Sequence, residues 1–254
     1  MATLNLKALV VLALATSAGG TNLLITEIAD PNDVANSRFV ELFSPDGAGT
    51  TISDQLHLIR WTNANSAPTT SSAYSLNGLT IASDGFIVGC YNRAAAESSY
   101  GTSACDFYST KDVFNSNGDD NIALIQGDPS SSYTIIDMFG VAGEDGSGTQ
   151  HEFEDGRAER ADGVTAPKAS WDATEWNVYS DSGVSIAGVS GSAQAVDASG
   201  CDPRAWIGTP RALASAHYIL SPASLKPCSM YQATVCPVYY AASMLMRACP
   251  YDPR

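Results

Sequence analysis

The chain has 254 residues, of which 27 are acidic and 13 are lysine or arginine, so its formal net charge is −14. A surface this acidic repels phosphate backbones, which disfavours direct binding to nucleic acid. Hydrophobic residues make up 44% of the chain, a share that supports a packed core. No apolar run reaches the roughly 18 residues that a membrane-spanning helix requires.

The first 18 residues are predicted to be a secretory signal peptide. Lys7 precedes an apolar stretch over residues 8–15, and small residues follow up to Ala18, after which cleavage is expected. A buried N-terminal helix is the alternative interpretation of this stretch. Export to an oxidising compartment favours disulfide bonds among the six cysteines. We therefore expect a secreted, extracellular protein.

The body that follows is predicted to consist of β-strands. Short apolar runs alternate with turn residues, as in the Asp-Pro-Asn-Asp sequence at 30–33. In the first half, strands are predicted at residues 22–28, 38–43, 56–61, 74–81 and 86–90. Asn77 and Gly78 interrupt the fourth of these runs and predict a tight hairpin there.

The second half continues the same pattern. Residues 93–100 form the one segment with a helical pattern, over about two turns. Strands at 121–126 and 133–139 are predicted to pair across the turn at 127–130, and residues 175–179 form a last strand. About eight short strands with so little helix indicate a β-sandwich rather than an α/β fold.

Several segments resemble the lamin-tail domain family. The sequences ITEIAD and RFVELFSP resemble its opening, an I-x-E-I strand followed by an aromatic-V/I-E-L strand. The matching residues are Ile25, Glu27, Ile28, Phe39, Val40, Glu41 and Leu42. FNSNGDDNIALIQ and YTIIDMFGV resemble a later turn and strand of the family. GEDGSGTQHEFEDGRAER, WDATEWNVYSDSG and DPRAWIG resemble the extended form in secreted microbial and algal proteins, so the resemblance covers about residues 22–208.

The resemblance implies an immunoglobulin-like β-sandwich with long acidic loops over residues 19–208. Such domains are generally binding or accessory modules without catalytic activity of their own, often joined to secreted nucleases or phosphatases. We therefore expect a non-enzymatic binding or structural adhesion module without catalytic residues, with an extracellular protein or glycan as its ligand. The alternative is an accessory module of a secreted hydrolase, such as an extracellular nuclease or phosphatase.

The composition of the chain changes near Gly208. Residues 21–208 contain 26 acids and 8 bases, whereas residues 209–254 contain one acid and four bases. The second part shows no clear strand alternation. Three of the six cysteines lie there: Cys228, Cys236 and Cys249. We expect a domain boundary at residue 208, followed by a tail that is either a small disulfide-bonded appendage or an artefact of gene prediction.

One disulfide bond is predicted within the body. Cys90 ends a predicted strand, and Cys105 follows after an excursion that contains the short helix. A bond closing a loop of this size stabilises the fold by about 3 kcal/mol in the chain-entropy model. The partner of Cys201 and the pairing of the cysteines in the tail stay open.

An acidic loop before the strand at 121–126 is the predicted metal site. Oxygen-bearing side chains alternate around Gly118, and the candidate calcium ligands are Asn115, Asn117, Asp119 and Asp120. Calcium requires about six to eight oxygen ligands, of which such a loop supplies several. The loop is not an EF-hand, because Gln126 stands where the bidentate glutamate belongs. The alternative is an Asx-rich turn that caps local backbone N–H groups. No other cofactor is expected.

A second acidic stretch has a different interpretation. Its acids are Glu144, Asp145, Glu152, Glu154 and Asp155. With Arg157 and Arg160 close by in the sequence, these side chains are predicted to form surface ion pairs, which contribute little to stability. The adjacent His151 and Glu152 do not form a zinc motif, because position 155 holds aspartate instead of a second histidine.

Glu27 and Glu41 lie within predicted strands, where an unpaired carboxylate is costly. Strand alternation places Glu27 on the same face as Ile25. We expect each glutamate either to accept backbone N–H bonds or to pair with Arg38 or Arg60. A catalytic carboxylate pair is the alternative, but no nucleophile or activated water is evident between the two.

The four tryptophans have two interpretations, as core residues or as a glycan-stacking face. As core residues, Trp61 and Trp176 fill the sandwich interior, while Trp171 and Trp206 attach the C-terminal arm to it. As a stacking face, their rings would contact the CH groups of a sugar. The core interpretation is favoured because the four residues lie in different segments without a shared strand period.

Overall fold

The computed structural model describes residues 22–182 and 194–206. The predicted signal peptide at 1–18, the boundary at 208 and the cysteines of the 209–254 tail lie outside these residues. Within the described ranges, no helix has the length and apolar character needed to cross a bilayer.

Ten strands form two sheets in the described part of the chain. Their bounds are β1 (Leu24–Ala29), β2 (Phe39–Phe43), β3 (Leu56–Trp61), β4 (Tyr74–Ser75), β5 (Phe86–Cys90), β6 (Phe107–Tyr108), β7 (Asn121–Asp128), β8 (Ser132–Phe139), β9 (Arg157–Arg160) and β10 (Trp176–Tyr179). The six-stranded sheet has the order β10-β9-β1-β2-β5-β6 and the four-stranded sheet the order β4-β3-β7-β8. Neighbouring strands are antiparallel except for β5 and β6. The predicted all-β, two-sheet architecture is confirmed.

One α-helix, α1 (Arg93–Tyr100), follows β5, as the sequence predicts. The Asn92 side chain accepts the backbone N–H of Ala95 and so caps the first turn, and the helix ends at Gly101 with φ +90°. Short 3-10 turns occur at Ala35–Ser37, Thr70–Ser72, Asp112–Phe114, Ala173–Glu175 and Ala198–Gly200. The remaining connections are loops, and the longest of them carry the acidic residues.

The predicted hairpin within residues 74–81 is not formed. Strand β4 ends at Ser75, and Gly78 turns the chain with φ +85°. Leu79 then accepts the backbone N–H of Ile52, and Thr80 forms an isolated bridge with Thr51. The segment after the turn therefore pairs with the chain before β3, because that neighbour is aligned against it in the folded protein.

The main core lies between the two sheets. Ile25 and Val40 from the six-stranded sheet pack with Leu58, Leu124 and other apolar residues of the four-stranded sheet. Trp176 belongs to this core, as predicted. The apolar side chains that alternate along each strand thus meet face to face, as in other two-sheet sandwiches.

A β-bulge in β1 changes which side chains face this core. Glu27 lies opposite Glu41, and Ile25 lies opposite Leu42, so Thr26 is the extra residue. Ile25 and Ile28 both pack in the interior, whereas Ala29 packs on the outer face. The predicted placement of Glu27 on the face of Ile25 is therefore wrong, because strict alternation does not hold across a bulge.

A buried ion pair joins the two sheets beside the bulge. Asp137 of β8 pairs with Arg160 of β9, and both side chains are at most 1% exposed. Asp137 also accepts the N–H of Ile25 at 2.8 Å, and Arg160 donates to the carbonyl of Ile25 at 3.0 Å. The guanidinium lies 4.1 Å from the ring centroid of Trp176. The prediction of a surface ion pair for Arg160 is wrong, because its strand is covered on both faces.

A second apolar cluster covers the outer face of the six-stranded sheet. Phe39 and Phe86 of the sheet pack there with α1 and with Cys201 and Trp206 from the segment at residues 194–206. The predicted disulfide bond between Cys90 and Cys105 is present in this layer. The sheet is therefore buried on both faces, which leaves its polar strand residues away from solvent.

A third cluster lies on the outer face of the four-stranded sheet. Trp61 belongs to it together with Ile59, Ala123, Ile125 and Met138. The prediction that Trp61 fills the space between the sheets is thus wrong, because the residue falls on the other face of β3.

Candidate functional site

The loop at residues 140–156 meets the loop before β7 at one edge of the sandwich. Gly118 accepts the N–H of Phe153 at 2.8 Å, and Asp119 accepts the N–H of Gly146 at 2.9 Å through its carbonyl. Gly118 has φ +95°, and a Cβ atom there would lie 2.2 Å from the backbone nitrogen of Glu154. Glycine is therefore required for this close approach of the two loops.

Three carboxylates converge beside this contact. One oxygen from each of Glu152, Glu154 and Asp181 lies within 4.8 Å of the other two. Glu152 is buried and the other two are exposed. Burial and the negative charges of Asp181, Glu152 and Asp119 raise the pKa of Glu154. In the part of the chain that the structure describes, no ion pair includes any of these three acids.

Asp119 is the fourth acid of this region and has an unusual environment. Its side chain is 8% exposed. One carboxylate oxygen accepts from the Asn63 amide at 2.7 Å. The other oxygen, Oδ1, is buried and has no hydrogen-bond partner among the described residues. A buried acceptor left without a partner costs about 1–3 kcal/mol, which a bound cation would offset.

The other predicted calcium ligands have different partners. Asp120 forms an ion pair with Arg60 at 2.7 Å and accepts the N–H of Asn63 at 3.1 Å. Asn115 accepts from the Arg38 guanidinium at 2.9 Å. Asn117 is exposed. Of the four residues, Asp119 is thus the one with a buried oxygen that lacks a partner, and its charge acts on the Glu152–Glu154–Asp181 group.

An apolar groove of about 320 Å³ adjoins the beginning of the 140–156 loop. Its lining residues are Ile135, Met138, Gly140, Val141, Ala142, Ala169, Ser170 and Trp171. Within the described ranges, Val141 is the one large apolar residue that is exposed, with 40% of its surface accessible. Trp171 is half-buried, and its ring packs edge-on against Phe139. The groove therefore combines an aromatic ring with an accessible aliphatic rim.

His151 lies behind the wall of this groove. Its side chain is 1% exposed, and its Nδ1 lies 2.9 Å from the Thr149 hydroxyl. The ring packs against Trp171 with centroids 5.7 Å apart. Burial lowers the pKa of His151, so the imidazole is neutral at physiological pH. The ring packs in the core beside the groove, and its Nε2 has no hydrogen-bond partner among the described residues.

Glu27 and Glu41 have partners other than the predicted arginines. Glu41 accepts the backbone N–H of Arg204, and Glu27 pairs with Arg157 at 3.2 Å. Arg38 instead pairs with Asp30, and Arg60 pairs with a carboxylate of the 115–120 loop. The predicted arginine partners are therefore wrong, because the bulge turns Glu27 to the outer face of its sheet. The expected backbone N–H acceptor role is confirmed for Glu41.

Sequence reasoning missed the convergence of Glu152, Glu154 and Asp181. The acids at 144–155 were predicted to pair with the arginines of β9, but Arg157 and Arg160 pair elsewhere. A local excess of acids was visible in the sequence. The addition of Asp181 was not, since it depends on the backbone bond from Asp181 to the carbonyl of Glu154 at 3.1 Å.

Comparison with models of protein families, with curated proteins and with solved structures finds no match for this chain. The lamin-tail resemblance and the immunoglobulin-like topology that it implies therefore stay predictions. The two-sheet architecture rests on the strands themselves, and the function must be argued from the geometry of the site.

Proposed function

We propose that the chain is a secreted, non-enzymatic binding module of the lamin-tail type that holds a calcium ion and presents the neighbouring groove to an extracellular glycan or protein. The observation that carries the proposal is the convergence of Glu152, Glu154 and Asp181, together with Asp119, whose charge acts on Glu154 and whose buried Oδ1 has no partner among the described residues. The ion supports the loop that carries the groove, so that ligand binding depends on calcium.

The donor set suits a hard divalent cation. Calcium binds about six to eight oxygens, and carboxylates are its preferred protein ligands. Glu152, Glu154 and Asp181 offer three carboxylate oxygens, Asp119 adds a fourth carboxylate nearby, and water completes the shell. The region around residues 21–208 has 26 acids against 8 bases, so a cation also reduces the self-repulsion of the domain.

The groove suits a ligand with an apolar face. Trp171 offers an aromatic ring, and Val141 offers an exposed aliphatic rim. Aromatic side chains of this kind contribute a large apolar contact area at low conformational cost. Gly146, five residues after Val141, is bonded to the carbonyl of Asp119, so the cation region and the groove share one loop. This connection is the physical basis for calcium dependence.

Secretion is supported by the disulfide bond between Cys90 and Cys105. Such bonds persist in oxidising compartments and are rare in reducing ones. The bond holds the segment after α1 against the outer face of the six-stranded sheet. The predicted signal peptide at residues 1–18 points to the same compartment.

Thermal unfolding with calcium and with sodium chloride of equal ionic strength tests the cation site. We expect calcium to raise the melting temperature more than sodium, with a gain of about 2.7 kcal/mol at a hundredfold excess over the dissociation constant. Asp119→Asn and Asp181→Asn should each remove that gain. Asp145→Asn also removes one negative charge, but from a loop acid outside the group. This variant should keep the stabilisation by calcium. Equal shifts with both salts would overturn the cation site.

A glycan and protein ligand array, probed with and without calcium, tests the binding function. We expect a signal that requires calcium and is lost in Trp171→Ala, whereas Trp171→Phe keeps part of it. Binding to a secreted nuclease or phosphatase would instead favour the accessory-module alternative. A ligand signal that is independent of both Trp171 and calcium would contradict the proposed groove.

A further inference from the structure

A row of three glutamates crosses the outer face of the six-stranded sheet. Glu41 of β2 lies directly opposite Glu27 of β1, which lies directly opposite Glu159 of β9. Glu27 and Glu41 are both 0% exposed. Like charges at directly opposed positions are destabilising, and burial adds the cost of desolvation. The row therefore requires compensation.

The compensation in the structure is incomplete. Among the residues that the structure describes, Arg157 is the one guanidinium that forms ion pairs with the row, at 3.2 Å from Glu27 and 3.5 Å from Glu159. Glu41 accepts from the Thr26 hydroxyl at 2.7 Å and from the backbone N–H of Arg204. The second carboxylate oxygen of Glu27, Oε2, is buried without a partner among the described residues.

The segment at residues 194–206 covers the row. Arg204 donates its backbone N–H to Glu41, and Asp202 pairs with Arg157. Cys201 is buried in the same layer, at 3% exposure. Trp206 donates its indole N–H to the carbonyl of Arg160 at 2.6 Å. Docking of this segment is therefore what removes the glutamates from water.

Every element around the row contributes titratable or charged groups. They are Glu27 on β1, Glu41 on β2, Arg157 and Glu159 on β9, Tyr100 on α1, and Cys201, Asp202 and Arg204 on the covering segment. Burial raises the pKa of both the Tyr100 hydroxyl and the Cys201 thiol far above their usual ranges, so neither adds charge. The Arg204 guanidinium is bound to Asp84 and Asp106.

With every carboxylate ionised, the negative charges of Glu27, Glu41, Glu159 and Asp202 would thus face Arg157 and, from Glu41, also Arg204, whose own charge is shared with Asp84 and Asp106. Burial raises the pKa of Glu41 to about 7 and that of Glu27 well above its usual range. The excess negative charge on the two buried glutamates is relieved in one of two ways, by binding a proton or by admitting water.

We propose that the buried Glu27–Glu41 pair binds a proton that keeps the 194–206 segment docked, and that the segment opens as this proton is lost. Opening admits water to the two carboxylates and separates them from Asp202. The opening is confined to the outer layer, since the sandwich interior lies on the other face of the sheet. It also exposes the apolar outer cluster that contains Phe86 and Trp206.

The direction of the pH dependence follows from linkage. An exposed glutamate has a pKa near 4.5, whereas in the docked form burial raises the pKa of Glu41 to about 7 and that of Glu27 well above its usual range. Between these values the open form releases the proton and the docked form keeps it. Opening therefore becomes at least about tenfold more favourable for each pH unit between about 4.5 and about 7.

Hydrogen exchange of the full chain in chelator, from about pH 5 to about pH 8, tests the proposal. Exchange rates are divided by the rate of unprotected amides at each pH, which yields a protection factor. We expect the protection factors of residues 196–206 to fall at least about tenfold for each pH unit up to about pH 7. The protection factors of the Ile122–Ile125 amides in β7 should not fall in parallel. A flat profile, or an equal fall in β7, would overturn the proposal.

Glutamine variants identify the groups that bind the proton. Glu41→Gln keeps a carbonyl oxygen that can accept from Arg204, and Thr26 can donate or accept, so the packing is preserved. We expect Glu41→Gln and Glu27→Gln each to reduce the pH dependence of the protection factors of residues 196–206. The double variant should abolish this pH dependence. Glu144→Gln, an exposed matched control, should keep the full pH dependence. A double variant with the natural pH dependence would show that other groups are responsible.

Discussion

Carboxylates gather in two regions of this molecule, and the two regions differ in access to water. Glu154 and Asp181 are exposed at the loop edge, where Glu152 is the buried member of the group. Glu27 and Glu41 lie on adjacent strands and are sealed under residues 194–206. The first region is open to a cation from solvent, whereas the second, as long as it stays sealed, is compensated by a proton.

The difference teaches that burial decides how excess negative charge is compensated. At the open edge two of the three carboxylates are exposed, and burial together with neighbouring negative charges raises the pKa of Glu154. In a sealed row desolvation is the leading cause of the raised pKa of both Glu27 and Glu41. Asp137 provides a third case, because it is equally buried but fully paired with Arg160.

The largest change in the free energy of unfolding is expected when the buried Asp137–Arg160 ion pair is broken. Arg160→Met leaves Asp137 buried without its cation, and loss of one partner of such a pair typically costs about 3–5 kcal/mol. Denaturant unfolding measures the loss. The double variant Arg160→Met/Asp137→Asn removes both charges but keeps a side-chain oxygen that can accept the N–H of Ile25, so it should recover part of the loss. A single variant as stable as the natural protein would show that the pair does not connect the sheets.

A smaller change in the free energy of unfolding, in this case an increase, is expected in the sealed row of Glu27 and Glu41. Glu41→Gln removes a carboxyl whose folded pKa is about 7 against an ordinary 4.5. Such a group destabilises the fold increasingly as pH rises from 4.5 to 7, so the variant should gain up to about 3 kcal/mol at pH 8. At pH 4 the gain should vanish. Denaturant unfolding curves of the variant and the natural protein at pH 4 and pH 8 measure this gain. A loss of stability of the variant at pH 8 would contradict the prediction.

The smallest effect is expected at the open edge. Glu154→Gln in chelator should change the unfolding free energy by no more than about 0.5 kcal/mol, as is usual for an exposed position. In calcium the same variant should lose the stabilisation that the natural protein gains. Comparison with Glu41→Gln at the same pH then separates the two regions. A large change in chelator would mean that the edge is as tightly coupled to the fold as the row.

Much of the fold could be predicted from the sequence. Runs such as RFVELF and NIALIQ have the composition and length of strands, and turn residues bound them. The Cys90–Cys105 bond and helix α1 were also foreseen, because each depends on residues close together in the chain. Strand β9 was not, since its sequence RAER has no apolar run and is buried only through its neighbours.

The candidate sites were predicted less well, for a definite physical reason. The loop around Asp119 was visible as a concentration of oxygen-bearing side chains, but whether each oxygen is free depends on Arg38, Arg60 and Asn63, which come from distant strands and loops. The contribution of Asp181 to the carboxylate group likewise depends on a contact across the fold.

The sequence by itself determined the all-β class, the acidic character and the local disulfide bond, because alternation, composition and short loops are properties of neighbouring residues. Only the tertiary structure decided which carboxylates are buried, which are paired and which share a site. The bulge at Thr26 turned Glu27 to the outer face, where the 194–206 segment also donates a backbone N–H to the neighbouring Glu41. Those outcomes depend on desolvation and on long-range pairing, which local sequence patterns do not encode.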